Sequence, residues 1–88
     1  DSTLDLARMR ATGCRTIHVA GREVFEICFG RDHEFHLYIA RAGDFAAPPS
    51  VEPEFSTEGR FSAATWSSPD LAFSLVTAAG AGALRQRL

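Results

Sequence analysis

Three segments of the chain alternate apolar and polar side chains with a period of two. Phe25, Ile27 and Phe29 alternate with Val24, Glu26 and Cys28. Phe35, Leu37 and Ile39 alternate with His36, Tyr38 and Ala40, and Leu71, Phe73 and Leu75 alternate with Ala72, Ser74 and Val76. A strand points successive side chains to opposite faces, so this period predicts β-strands with one strongly apolar face. Cys14–Val19, Glu23–Phe29 and Glu34–Ala40 form a first strand block. Gly21 punctuates its first turn and Gly30-Arg31-Asp32 its second, which makes an antiparallel meander. A three-residue loop at Gly30-Arg31-Asp32 would pair Phe29 with His33 and Ile27 with Phe35. Phe55–Glu58, Phe61–Ser67 and Leu71–Thr77 form a second block, its last two strands joined around Ser68-Pro69-Asp70.

Between the blocks, residues 41–54 break the pattern. Pro48, Pro49 and Pro53 forbid a central strand, and the segment reads as a strap joining two halves of a sheet. Helices are expected only at the ends. Residues 2–12 carry a capping box, Ser2 with Asp5, and Gly13 supplies the stop. Residues 81–88 place Leu84 and Leu88 on one face. The expected fold is one α+β domain over residues 1–88: a five- or six-stranded, mainly antiparallel sheet with an N-terminal helix and a short C-terminal helix. Its core should hold Ile17, Phe25, Ile27, Phe29, Phe35, Leu37, Ile39, Phe61, Trp66, Phe73 and Leu75.

Composition narrows the function. The 88 residues allow one small core and no cleft between lobes. A net charge of −2, with nine Arg and no Lys, leaves no basic excess for a phosphate backbone, so nucleic acid is not an expected partner. The longest stretch without charge, Leu71–Leu84, falls short of the roughly 20 residues a spanning helix needs. The chain opens on Asp1 without an initiator Met, which suggests a fragment of a longer protein.

Candidate chemistry is sparse. Cys14 and Cys28 are the only cysteines. They form either a disulfide or redox pair of an oxidising compartment, or two small buried hydrophobes. The turn at Ala20-Gly21 decides whether they share a face. A three-residue loop ending at Gly21 pairs His18 with Arg22 and puts both cysteines on one side; a two-residue loop pairs Val19 with Arg22 and separates them. Under the three-residue loops, Cys14, His18, Cys28 and His36 share the face opposite Ile27. Two thiolates and two imidazoles suit tetrahedral zinc, although no Cys-x-x-Cys knuckle is present and the same residues make an ordinary half-buried face. His33 and His36 would point to opposite faces if both lay on a strand, three apart, which argues against a shared metal, and His33 reads as a solvated loop residue beside Asp32. Trp66 reads as core rather than a stacking platform. No Gly-x-Ser-x-Gly elbow, His-Glu-x-x-His or phosphate loop occurs, so no catalytic residue and no cofactor is expected.

Several stretches taken together carry a resemblance: Gly13-Cys14-Arg15, Ile27-Cys28-Phe29, His36-Leu37-Tyr38-Ile39, Pro48-Pro49, Ala63-Ala64-Thr65-Trp66-Ser67, and the closing Leu84 and Leu88. They resemble the C-terminal extracytoplasmic domain of bacterial transmembrane anti-sigma factors, also called transmembrane transcriptional regulators. The resemblance implies a sensory or interaction domain at the periplasmic face of the inner membrane, with a protein partner or an extracytoplasmic signal. It implies a membrane anchor and a cytoplasmic sigma-binding segment outside this chain. The zinc-type motif His-x-x-x-Cys-x-x-Cys is absent here, so a sigma factor would be reached only through that segment. A periplasmic address favours the Cys14–Cys28 disulfide. The alternative expectation is a small-molecule or metal-binding module built on Cys14, His18, Cys28 and His36.

Overall fold

The computed structural model describes residues 15–88. The N-terminal helix expected over residues 2–12 and the thiol of Cys14 lie outside the described residues. The strands are β1 (Arg15–Val19), β2 (Arg22–Phe29), β3 (Phe35–Arg41), β4 (Glu54–Glu58), β5 (Phe61–Ser67) and β6 (Leu71–Thr77), and one helix, α1, spans Ala81–Arg87. They form a single six-stranded sheet in the order β1-β2-β3-β6-β5-β4, antiparallel throughout. Two three-stranded meanders therefore meet at a seam between β3 and β6. The fold is the α+β domain that the alternation predicts.

Register places the apolar sets on one face. Ile27 faces Leu37, Leu37 faces Leu75, and Leu75 faces Ala64; one step along, Ile39 faces Phe73 and Phe73 faces Trp66. Helix α1 lies on this side. Leu84 is fully buried among Phe35, Ala64 and Leu75, and Ile27, Ile39 and Phe73 form the adjoining part of the core. Arg85 lies 4.1 Å from the centre of the Phe55 ring and Arg87 4.8 Å from that of Phe35, so cation–π contacts hold both flanks of the short helix. Leu88, expected beside Leu84, is instead half exposed at the chain end.

The opposite face is crossed by the strap. After β3 a 3-10 turn, Ala42–Asp44, redirects the chain. Ala42 donates its backbone N–H to Asp70 at 2.9 Å, and Arg22 pairs with Asp44 at 3.1 Å. The far end is tied at Ser67, whose backbone N–H bonds the carbonyl of Ser50 at 2.9 Å and whose hydroxyl donates to that of Pro49. Strap and helix thus cover opposite faces.

The first turn of the meander takes the two-residue alternative, and the second is longer than the three residues expected. Ala20 and Gly21 alone join β1 to β2, with φ of 53° and 77°, and Val19 faces Arg22. Left-handed conformations at both positions make a type I′ turn, whose twist matches that of the strands. The second turn spans five residues, with Phe29 facing Phe35 and Ile27 facing Leu37. It contains a 3-10 turn, Arg31–His33, with Asp32 and His33 both left-handed. Gly30 has no substitute there: its φ is 84°, and a Cβ would come within 2.9 Å of the Phe35 ring.

Two expected core residues are displaced. Ile17 faces Val24 and sits half-buried on the strap face, because the two-residue turn inverts the parity of β1. Phe61 is 43% exposed with Arg60 over its ring, because it lies an odd number of positions from the inward-facing Ala64 and Trp66. Ile27, only 8% exposed, is in the core as expected. Ile27→Ala should lower the unfolding free energy by about 2–5 kcal/mol in denaturant titrations. Phe61→Ala should change it by no more than about 0.5 kcal/mol.

Candidate functional site

On the strap face, register lines up one row of polar side chains across the whole sheet. Arg15 faces Glu26, Glu26 faces Tyr38, Tyr38 faces Ser74, Ser74 faces Thr65, and Thr65 faces Glu54. A neighbouring position in the first meander pairs Cys28 with His36. The result is a cluster of Arg15, Glu26, Cys28, His36 and Tyr38 on three adjacent strands.

Glu26 is the centre of it. This carboxylate is 4% exposed, on a strand whose ordinary alternation marks it as an outward residue. A buried charge persists only when paired and hydrogen-bonded. Arg15 Nε donates to Glu26 Oε1 at 2.5 Å, the other oxygen, Oε2, lies 3.6 Å from His36 Nδ1, and the Tyr38 hydroxyl donates to the carboxylate as well. The Tyr38 hydrogen bond, backed by the hydrogen bond and charge of Arg15, holds Glu26 below its ordinary value of 4.5 despite burial. Tyr38 moves the other way: burial first, then the Glu26 carboxylate, push its phenol up to about 12. Among the described residues no buried side-chain nitrogen or oxygen lacks a partner.

Cys28 Sγ lies 3.3 Å from the same His36 Nδ1. One donor atom each from Glu26, Cys28 and His36 fall within 4.8 Å of one another. Two consequences follow. The thiol and the carboxylate address one imidazole nitrogen, whereas a nucleophilic triad needs the carboxylate on the nitrogen opposite the thiol. Conversely, ligand bonds of about 2.0–2.3 Å to one tetrahedral ion put two donors about 3.3–3.6 Å apart. The 3.3 and 3.6 Å spacings around Nδ1 match that requirement.

Of the four residues singled out from the sequence, Cys28 and His36 are brought together. His18 is not: it faces Glu23, and so belongs to the helix face, because the Ala20-Gly21 turn has two residues rather than three. Cys14 lies outside the described residues, and with it the Cys14–Cys28 disulfide. His33 sits exposed in the five-residue turn, away from His36. Trp66 stacks on Phe73 at 5.3 Å between ring centres, a core contact. Sequence reasoning missed Glu26, Tyr38 and Arg15. Their signal is the i, i+2 spacing of Glu26 with Cys28 and of His36 with Tyr38, which becomes a cluster only once the turn length is known.

Comparison with known protein families, with curated proteins and with solved structures finds no match. Among the described residues no helix is long and apolar enough to cross a membrane. The site must therefore be read from its own chemistry.

The chain has a single tyrosine, so ultraviolet titration reports Tyr38 directly. Its midpoint should fall near 12 in the folded protein, well above the ordinary 10.0, and Glu26→Gln should bring it down part of the way. Because the folded value is raised, the stability it supplies is complete below pH 10 and is lost as pH climbs through 10 towards 12. Glu26 has a depressed folded value, so its contribution is complete above about 4.5 and is lost as pH falls below that. Denaturant melts of Glu26→Gln should accordingly vary less between neutral and acid pH than those of the wild type.

Proposed function

We propose that this chain is a non-catalytic binding module that takes a thiophilic divalent cation, of which zinc is the natural example, between Glu26 Oε2, Cys28 Sγ and His36 Nδ1. The observation that carries the reading is the convergence of these three donors within 4.8 Å of one another, one of them on a buried carboxylate, with both spacings to His36 Nδ1 at the values a tetrahedral ion requires. A thiolate and a carboxylate supply two negative charges to offset the ion, and an imidazole adds a neutral ligand. Arg15 engages the other carboxylate oxygen, Oε1, and orients Glu26 much as an outer partner orients a metal ligand. Three protein ligands leave the fourth position to water or an exchangeable group.

Such a site suits a sensor better than a structural clasp, since the sheet already closes its core on the other face. In the extracytoplasmic domain of a membrane-anchored regulator, the role its sequence resemblance implies, occupancy of the site would be the signal. A sigma factor would then be reached only through a segment outside this chain.

The test is equilibrium dialysis of zinc, with cobalt(II) absorption as a second readout, on a Cys14→Ser protein so that Cys28 is the only thiol. One equivalent should bind, and cobalt should show a thiolate charge-transfer band. Cys28→Ala and His36→Ala should each weaken binding by at least about tenfold, a loss that even outer-shell changes can produce. His18→Ala should leave binding unchanged. Equal affinity in Cys28→Ala, or no stoichiometric binding at all, would overturn the reading.

A further inference from the structure

We infer that the hollow between the strap and the sheet is a binding site for a small neutral molecule made of one ring and one hydroxyl. This inference is independent of the cation site. The hollow measures about 210 Å³ and lies beneath Phe45 and Pro49, on the strap side of the seam. Val24, Ala40 and Ala72 form one side of its floor, and Tyr38, Ser74 and Thr65 the other. These are two adjacent rows of the sheet. Val24, Ala40 and Ala72 are apolar, whereas Tyr38, Ser74 and Thr65 belong to the polar row that runs across all the strands. A ligand lying over the boundary meets mostly hydrocarbon, with a narrow strip of polar surface on the side of Tyr38, Ser74 and Thr65. Apolar walls with a few convergent polar groups are the usual make-up of a small-molecule pocket.

Among the described residues, the Thr65 and Ser74 hydroxyls are held only by a long contact with each other. Thr65 Oγ1 and Ser74 Oγ stand 3.4 Å apart, long for a hydroxyl hydrogen bond, so little is lost when either turns to a ligand. The Tyr38 hydroxyl gives its proton to Glu26 but keeps its oxygen lone pairs as acceptors. No charged side chain lines the hollow, which excludes an ionic ligand. Size sets the rest. An apolar cavity of about 150 Å³ holds benzene, so this hollow takes a ring with one polar substituent. Phe45, 45% exposed on the strap, supplies an aromatic roof able to settle onto that ring.

The test is an amide chemical-shift titration with phenol, with toluene as the ring lacking a hydroxyl. Phenol should give saturable, millimolar shifts at Val24, Ala40, Thr65 and Ser74. Ala40→Phe, which fills the floor at a half-buried position, should abolish them. Thr65→Val should weaken phenol by about fivefold, the value of one neutral hydrogen bond, and leave toluene unchanged. Absence of saturable shifts in the wild type would overturn the inference. So would shifts that persist in Ala40→Phe once its dispersed amide spectrum shows that it is folded. Because Cys28 and His36 do not line the hollow, Cys28→Ala should bind phenol as the wild type does, which separates failure here from failure of the cation site.

Discussion

The antiparallel seam between β3 and β6 is the constraint on which the molecule rests. It joins two meanders that are far apart in sequence, and it brings Phe35, Leu37 and Ile39 against Thr77, Leu75 and Phe73. Because the partner of β3 is the last strand, the chain must leave β3, cross the sheet and build the far edge before returning. The strap is the physical consequence of that route. Helix α1 follows directly from β6 and drops onto the face the strap does not use, where Leu84 finds Phe35, Ala64 and Leu75.

Glu26 belongs to a different level of organisation. Hydrophobic burial explains the helix face, but it does not explain a carboxylate at 4% exposure. The arrangement around it removes the cost of burial: a guanidinium and a phenol hydrogen-bond the carboxylate, with an imidazole nearby. That neutralisation also gathers the thiol of Cys28 and the imidazole of His36 at one point, and the phenol that ends the cluster begins the wall of the neighbouring hollow. Charge compensation on β2 and ligand capacity on the strap face are in this sense one construction.

Much of the architecture is legible in the chain, because alternation at Phe25, Ile27, Phe29 and again at Leu71, Phe73, Leu75 tells inside from outside without tertiary information. Turn lengths are not legible in the same way. Ala20 is no signal for a left-handed turn position, since a Cβ disfavours that conformation, yet the hairpin uses it at φ 53°. The consequence is that His18 and Ile17 exchange faces relative to a three-residue turn. The five-residue turn after Phe29 leaves the faces unaltered and shifts partners by two, so the meeting of Cys28 with His36 is hidden although both residues read as sharing one side. Phe61 misleads for another reason: it and Trp66 have opposite parity, and only one of two bulky residues five apart on a strand can face the core.

The outer strand β4 is exposed along its whole length, with Glu54 and Glu58 at its two ends. Two copies meeting antiparallel along this margin, centred on Ser56, would set each Glu54 against a Glu58. Like charges directly opposite in a ladder are unfavourable. The margin thereby resists templating onto itself, and the chain limits fibre-like growth from this edge by electrostatic repulsion rather than by steric cover.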